Sequence, residues 1–291
     1  MTDFRHTELV SWLESELNAQ PDKIQLISGD ASFRRYFRFF YPQRTLIGVD
    51  APPEKENCRP FVAIAKAFNQ QGLIVPIVEH VNFNQGYMGL SDLGDNQLLG
   101  LLNGQTVDNF YSSAMTNLLP LQATTVFENY RLPLYNQPLL MQEMKLFPDW
   151  FLKRHISQNT TVKQVSKLTH LFERLIKTAL LQPQVTVHRD YHSRNLMVNK
   201  EGKLAIIDFQ DAVTGPICYD LISLIKDSYI CWPQVKIDRW VKEYYQLQKT
   251  VRADLPSMDE FTFWVDSMAI QRHLKVAGIF SRLCYRDGKS C

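Results

Sequence analysis

Apolar positions along the chain follow two periods, and the switch between them divides it. Val10, Leu13 and Leu17 recur at helical spacing with Glu8 in the first turn, which predicts an amphipathic helix over 7–18, ended by Pro21 and Asp22. Alternation then takes over. Residues 23–27 predict a strand, Ser28-Gly29-Asp30-Ala31-Ser32 a tight turn, and 33–40, where aromatics alternate with arginines, the second strand of a hairpin. A third strand is predicted over 45–49 and broken by Pro52-Pro53. Helical spacing returns over 59–71 through Phe61, Ile64, Ala65 and Phe68, with Gly72 where a helix end favours glycine. Two further strands are predicted over 73–81 and 86–90.

Beyond Gly94 the helical period dominates, over 105–119, 136–155, 162–182, 217–230, 234–250 and 257–284. One interruption stands out: strands over 184–187, 196–198 and 203–207, with an Asn199-Lys200-Glu201-Gly202 turn between the last two. The pattern predicts an α+β chain with a small β-rich N-terminal lobe over 1–91 and a larger, mostly helical C-terminal lobe over 92–291, joined near 91–95.

Composition narrows the function. The 291 residues are 45% hydrophobic and 21% charged, ordinary for a globular chain. With 32 basic against 30 acidic residues interspersed, the electrostatic footprint of a nucleic-acid or anionic-membrane binder is missing. Cys58, Cys218, Cys231, Cys284 and Cys291 form no Cys-x-x-Cys pair and are odd in number, which predicts buried free thiols in a reducing compartment. The start Met-Thr-Asp-Phe-Arg-His lacks the basic and apolar regions of a secretory signal. The uncharged run 109–127 is long enough to span a bilayer, but it carries Ser112, Ser113, Thr116, Asn117, Gln122, Thr124 and Thr125 and reads as a helix followed by a turn. A cytoplasmic protein with neither nucleic acid nor membrane as partner is expected.

The candidate chemistry lies at His188-Arg189-Asp190-Tyr191-His192-Ser193-Arg194-Asn195, which follows a β-branched strand and precedes the hairpin, with Ile207-Asp208-Phe209 beyond it. The spacing matches the kinase catalytic loop and its downstream metal-binding Asp-Phe. A phosphoryl acceptor needs a carboxylate to orient its hydroxyl and take the proton, and Asp190 fits. Asn195 and Asp208 supply oxygen donors for a Mg2+ ion across the nucleotide phosphates. Singly, an Asp or Asn here is a turn residue or helix cap; the joint pattern is far more specific. His188 and His192 have the i, i+4 spacing of zinc-protease ligands, but those need a helix with Glu after the first His. Here a strand enters an irregular loop and Arg189 follows, so both histidines are expected to hold the loop through side-chain-to-backbone bonds.

Several protein-kinase marks are missing. The first turn holds one glycine, Gly29, although the backbone of Gly29, Asp30, Ala31 and Ser32 can still offer N–H groups to phosphate. No Ala-Pro-Glu follows Asp208, and the third strand, Leu46-Ile47-Gly48-Val49-Asp50, lacks the lysine that pairs nucleotide phosphates. Arg34, Arg35, Arg38 and Lys55 are left as candidate cations, with Arg34 and Arg38 on one strand face and Arg35 on the other. A small-molecule kinase fits better than a protein kinase.

The pattern His188-x-Asp190-x-His192-x-x-Asn195 with Ile207-Asp208-Phe209 resembles the aminoglycoside phosphotransferase and choline kinase-like superfamily. The segments GDASFRRYFR (29–38), DAPPEKENCRPF (50–61), LSDLGD (90–95), LFPDWF (146–151), DFQDAVTGPICYDLISLIKD (208–227) and QRHLKVAGIFSRL (271–283) look most like the anomeric N-acetylmuramate/N-acetylglucosamine kinases of cell-wall recycling. The resemblance implies a two-lobed protein-kinase-like fold, with ATP and Mg2+ as cofactors and a nucleotide and a small sugar as partners. It implies Asp190 as catalytic base, Asn195 and Asp208 as metal ligands, and Asp220 as a structural acid bracing the loop. Gly29, Asp30, Ala31, Ser32, Arg34, Ser91, Asp92 and Leu93 would contact the nucleotide, and Asp149, Trp150 and Arg272 the sugar. Two other readings stay open: an amino-alcohol or aminoglycoside kinase, which would want an acidic groove, and a kinase-like binding module without activity.

Overall fold

The computed structural model describes residues 3–27 and 33–288. The chain divides into two compact units, neither continuous in sequence: 1–97 with 126–131 and 196–211, and 98–125 with 132–195 and 212–291.

The first unit is built on a five-stranded antiparallel sheet of β1 (Lys23–Ile27), β2 (Arg35–Tyr41), β3 (Arg44–Asp50), β4 (Val78–Asn82) and β5 (Tyr87–Ser91), in the order β1-β2-β3-β5-β4. Helix α1 (Phe4–Leu17) lays Leu9 and Leu13 on Phe37, Phe39, Leu46 and Tyr87, all buried. Gly48 is required by that packing: a Cβ there would stand 2.4 Å from the Phe39 ring. Alternation on β2 sends Arg35 to the α1 side, where it shares buried Asp50 with Arg5 and also pairs with the α1 cap Asp3. Helix α2 (Cys58–Gln70) presents Phe61 and Phe68 to Phe209, with ring centroids 4.9 and 5.7 Å apart. The strand expected over 73–81 is shorter: Ile74 makes a single parallel bridge to Ala205, and Pro76, which has no N–H to donate, separates it from β4.

The second unit is mostly helical: α3 (Val107–Ala123), α4 (Gln137–Leu146), α5 (Val162–Leu181), α6 (Tyr219–Ile225), α7 (Gln234–Lys249) and α8 (Met258–Asp287). Its two-stranded sheet pairs β6 (Gln184–Val187) with β9 (Val213–Pro216), a strand not foreseen because it is a short run closed by Gly215-Pro216. The single helix expected over 136–155 is α4 followed by a π-helical segment, Phe147–His155. Pro148 explains the change, since it has no N–H for the carbonyl of Met144. The second hairpin, β7 (Leu196–Val198) and β8 (Leu204–Ile206), belongs to the first unit, where the Val198 and Ile206 amides donate to Asn96 and Ile74.

A mixed α/β chain with an antiparallel N-terminal sheet and a helical C-terminal part has the kinase-like architecture expected. Cys58 and Cys218 are buried thiols and Cys231 an exposed one, whereas Cys284 is held in a disulfide, so the expectation of free cysteines fails there. Among the described residues no helix is long and apolar enough to cross a membrane.

Candidate active site

The loop 188–195 leaves β6 and is fixed by two buried carboxylates. Asp220, fully buried at the start of α6, accepts the amides of His188 at 2.7 Å and Arg189 at 3.0 Å. Burial pushes Asp220 up to about 7 against the lowering effect of those two bonds. His188 is also fully buried, and its Nδ1 lies 3.2 Å from the Asp190 amide that donates to it. The Asp190 carbonyl accepts the His192 amide at 2.9 Å and the Asn195 side-chain Nδ2 at 3.0 Å. Asp227 holds the far side by accepting the Ser193 amide at 3.0 Å and its hydroxyl.

Two features of this loop escape sequence reasoning. Arg189 has a left-handed backbone, φ 77°, which costs a residue with a Cβ roughly 1–2 kcal/mol. Its guanidinium pairs with Glu143 of α4 at 2.5 Å and lies over the Tyr135 ring. Lys275 of α8 is buried and donates to Tyr219 Oη at 2.9 Å, with Glu143 Oε1 3.3 Å away. Burial pushes the Asp190 carboxyl up, but the positive fields of Lys275, His192, His188 and Arg189 outweigh it and hold the group below its ordinary value. Asp190 is therefore a carboxylate at neutral pH. A signal for these partners existed: Glu143 sits in phase with Leu140 and Met144, and Arg272 and Lys275 with Met268, charges at positions where a helix buries its apolar stripe.

His192 behaves differently from expectation. Its backbone amide and carbonyl bond Asp190 and Asn195, while its ring Nδ1 has no hydrogen-bond partner among the described residues. Burial, first, and the Arg272 charge lower its pKa, against Asp190 and Asp227. Arg272 is 3% exposed and donates from Nε to Ser223 Oγ at 2.8 Å. Asp149 is exposed and Trp150 half-buried, both on the Phe147–His155 segment that packs against α8.

In the first unit, Asp208 also has a left-handed backbone, φ 65°, just ahead of the buried Phe209, and its Oδ1 accepts from Gln210 at 2.8 Å. Arg34 is 4% exposed and pairs with Glu56 at 3.2 Å. Tyr36 ties these groups into one neighbourhood: burial raises its hydroxyl to about 12, and it feels Arg34, Asp208 and Glu56. The other candidate cations are engaged elsewhere. Arg35 serves Asp50 and Asp3, Arg38 pairs with Asp92 at 2.7 Å and Asp95 at 2.7 Å, and Lys55 lies over the Phe33 ring. Arg38 thereby anchors the segment after β5, where Ser91 Oγ accepts the Ile77 amide, Asp92 caps the Gly94 amide and Leu93 is half-buried. Gly29, Asp30, Ala31 and Ser32 lie outside the described residues.

The chain is 38% identical over 300 residues to an N-acetylmuramate/N-acetylglucosamine kinase of Pseudomonas putida, covering 99% of this chain and 87% of that protein. It is 36% identical over 291 residues to a protein of the same name from Neisseria meningitidis, covering 98% and 86%. The GDP complex of aminoglycoside 2'-phosphotransferase-IIIa has the same fold, with TM-score 0.67 at 11% identity over 99% of this chain and 94% of that one. Residues 23–261 match the phosphotransferase enzyme family, and the chain belongs to it.

Proposed function

We propose that this phosphotransferase moves a phosphoryl group from ATP to the anomeric hydroxyl of N-acetylmuramate or N-acetylglucosamine, a step of cell-wall sugar recycling. The observation that carries the reading is near full-length identity to kinases of that name. Asp190 is the base: a half-buried carboxylate, kept ionised by surrounding cations, in the loop position that takes a hydroxyl proton. An anomeric hydroxyl suits a single carboxylate because the ring oxygen withdraws electron density and makes it more acidic than an ordinary alcohol. Arg34, buried against Glu56 and in the same neighbourhood as Asp208, takes the part of the missing third-strand lysine. Residues 29–32 with Ser91, Asp92 and Leu93 serve the nucleotide, and Asp149, Trp150 and Arg272 the sugar.

The donor chemistry suits Mg2+. Asn195 and Asp208 offer amide and carboxylate oxygens, the hard donors this ion takes. Asn195 Nδ2 donates to the Asp190 carbonyl at 3.0 Å. Mg2+ bound by donors of this kind would supply charge neutralisation for the nucleotide phosphates. A cationic amino-alcohol acceptor is disfavoured by the buried cations Lys275 and Arg272 beside the loop.

The test offers purified protein, ATP and Mg2+ both amino sugars and their methyl glycosides, in which O1 is blocked and O6 is free. Phosphate on the free sugars alone is expected. Phosphorylated methyl N-acetylglucosaminide would make the enzyme a 6-kinase and sink the assignment.

A further inference from the structure

Most buried cations of the second unit have an anionic partner. Arg189 and Lys275 share Glu143. Arg272 is the exception. At 3% exposure it enters no ion pair among the described residues, and its Nη1 has no hydrogen-bond partner among them. The carboxylate that feels its charge, Asp220, already gives both oxygens to the amides of His188 and Arg189. A guanidinium taken out of water without an anion is costly, so such a group is retained where a ligand supplies the anion. Another unfilled buried nitrogen lies in the same neighbourhood: Nδ1 of His192, two residues after Asp190 in the loop.

Next to His192 the surface turns aromatic. Tyr229 meets the His192 ring edge-on with centroids 5.4 Å apart, and Phe280 follows at 6.2 Å from Tyr229. Both rings are open to solvent, Tyr229 39% and Phe280 44% exposed. Arg194 lies over Tyr229 at 4.8 Å. Exposed aromatic faces pack against the C–H face of a sugar ring, and buried N–H donors beside them suit a charged substituent on it. N-acetylmuramate differs from N-acetylglucosamine by a lactyl ether on O3, which carries a carboxylate at neutral pH.

We propose that Arg272, with His192 beside it, binds the lactyl carboxylate of N-acetylmuramate while Tyr229 and Phe280 take the sugar ring. This inference rests on the proposed amino-sugar kinase reading. It makes Arg272 a specificity determinant between the two acceptors, because N-acetylglucosamine has nothing to place there. The transferred phosphoryl group is also an anion, but it is present with either sugar, so selectivity separates the two.

Steady-state kinetics on both acceptors, with ATP saturating, decide the matter. Arg272→Met is expected to raise KM for N-acetylmuramate about tenfold or more beyond any rise in KM for N-acetylglucosamine, the scale of a lost charged hydrogen bond. Tyr229→Ala is expected to raise KM for both. Equal losses on the two sugars in Arg272→Met would overturn the proposal and make Arg272 a brace for Asp220. Should Arg272→Met not fold, Arg272→Lys serves the same comparison, since a shorter point charge cannot reproduce a planar fork. Wild-type protein that turns over neither sugar would overturn the kinase reading itself, a result distinct from loss of selectivity.

Discussion

Arg189 and Glu143 hold each other across the second unit, and Arg189 does so from a left-handed backbone. That conformation places Asp190, the next residue, and is unfavourable for anything but glycine or asparagine. It persists because the residue is held at both ends, the amide by Asp220 and the guanidinium by Glu143. If Glu143 works by restraining Arg189, Glu143→Gln lowers kcat about ten- to a hundredfold, the scale of a misplaced catalytic group. The same change in an Arg189→Gly background should cost under about threefold, because glycine adopts this φ unaided. A double-mutant cycle on kcat measures the difference. Equal effects in both backgrounds would assign the loss to the Lys275 contact instead.

Asp190→Asn should lower kcat by about a hundred- to ten-thousand-fold, the range of a positioned base. Nucleotide binding, measured by calorimetry, should stay close to wild type, since the carbonyl that organises Asn195 and His192 is a backbone atom. Turnover above about a tenth of wild type is incompatible with that role.

Much of this was legible in the chain. Helical period located α5 and α7, which bury one apolar stripe each, and short β-branched or alternating runs located β1 and β6. The spacing of Asp190, Asn195 and Asp208 announced phosphoryl-transfer chemistry. Glu143, Asp227 and Lys275 were not singled out, because their meaning is a contact with residues 46, 34 and 56 positions away: Glu143 takes Arg189, Asp227 reaches Ser193 and Lys275 reaches Tyr219. The segment Phe147–His155 departs from its α-helical period because one proline outweighs it locally.

Asp220 should make stability depend on pH in an unusual direction. Its folded-state value of about 7 lies above the ordinary 3.8, so between these values the folded chain keeps a proton that the unfolded chain has released. Its contribution is fully present below the ordinary value and is lost as pH rises through the folded one. Asp220→Asn should lower Tm throughout, because an amide cannot accept both backbone N–H groups with its nitrogen end. It should also flatten the fall in Tm between about pH 4.5 and 7.5. Tm series for the two proteins test this; parallel slopes would place the titration on another group.

Gly278→Ala sets two effects against each other. Alanine inside a helix is favoured over glycine by about 1 kcal/mol, which alone would stabilise α8. But a Cβ at 278 would stand 2.4 Å from the carbonyl carbon of Leu146, 2.5 Å from its Cβ and 2.6 Å from its oxygen. These are mostly backbone atoms at the end of α4, so no flexible side chain can swing aside. Overpacking costs roughly 1–3 kcal/mol and more where backbone must move, so the clash wins and the variant is less stable. The consequence reaches the chemistry, because α4 carries Glu143 and α8 carries Lys275, whose contact depends on the spacing of the two helices. Gly100→Ala is the control: nothing lies within 4 Å of its Cβ position. Thermal melts should show Gly278→Ala below wild type, by about 2–4 °C per kcal/mol, with kcat reduced, while Gly100→Ala melts within about 1 °C of wild type. A Gly278→Ala protein that melts higher than wild type would show that α4 and α8 separate cheaply, and the close approach at Leu146 would then set nothing.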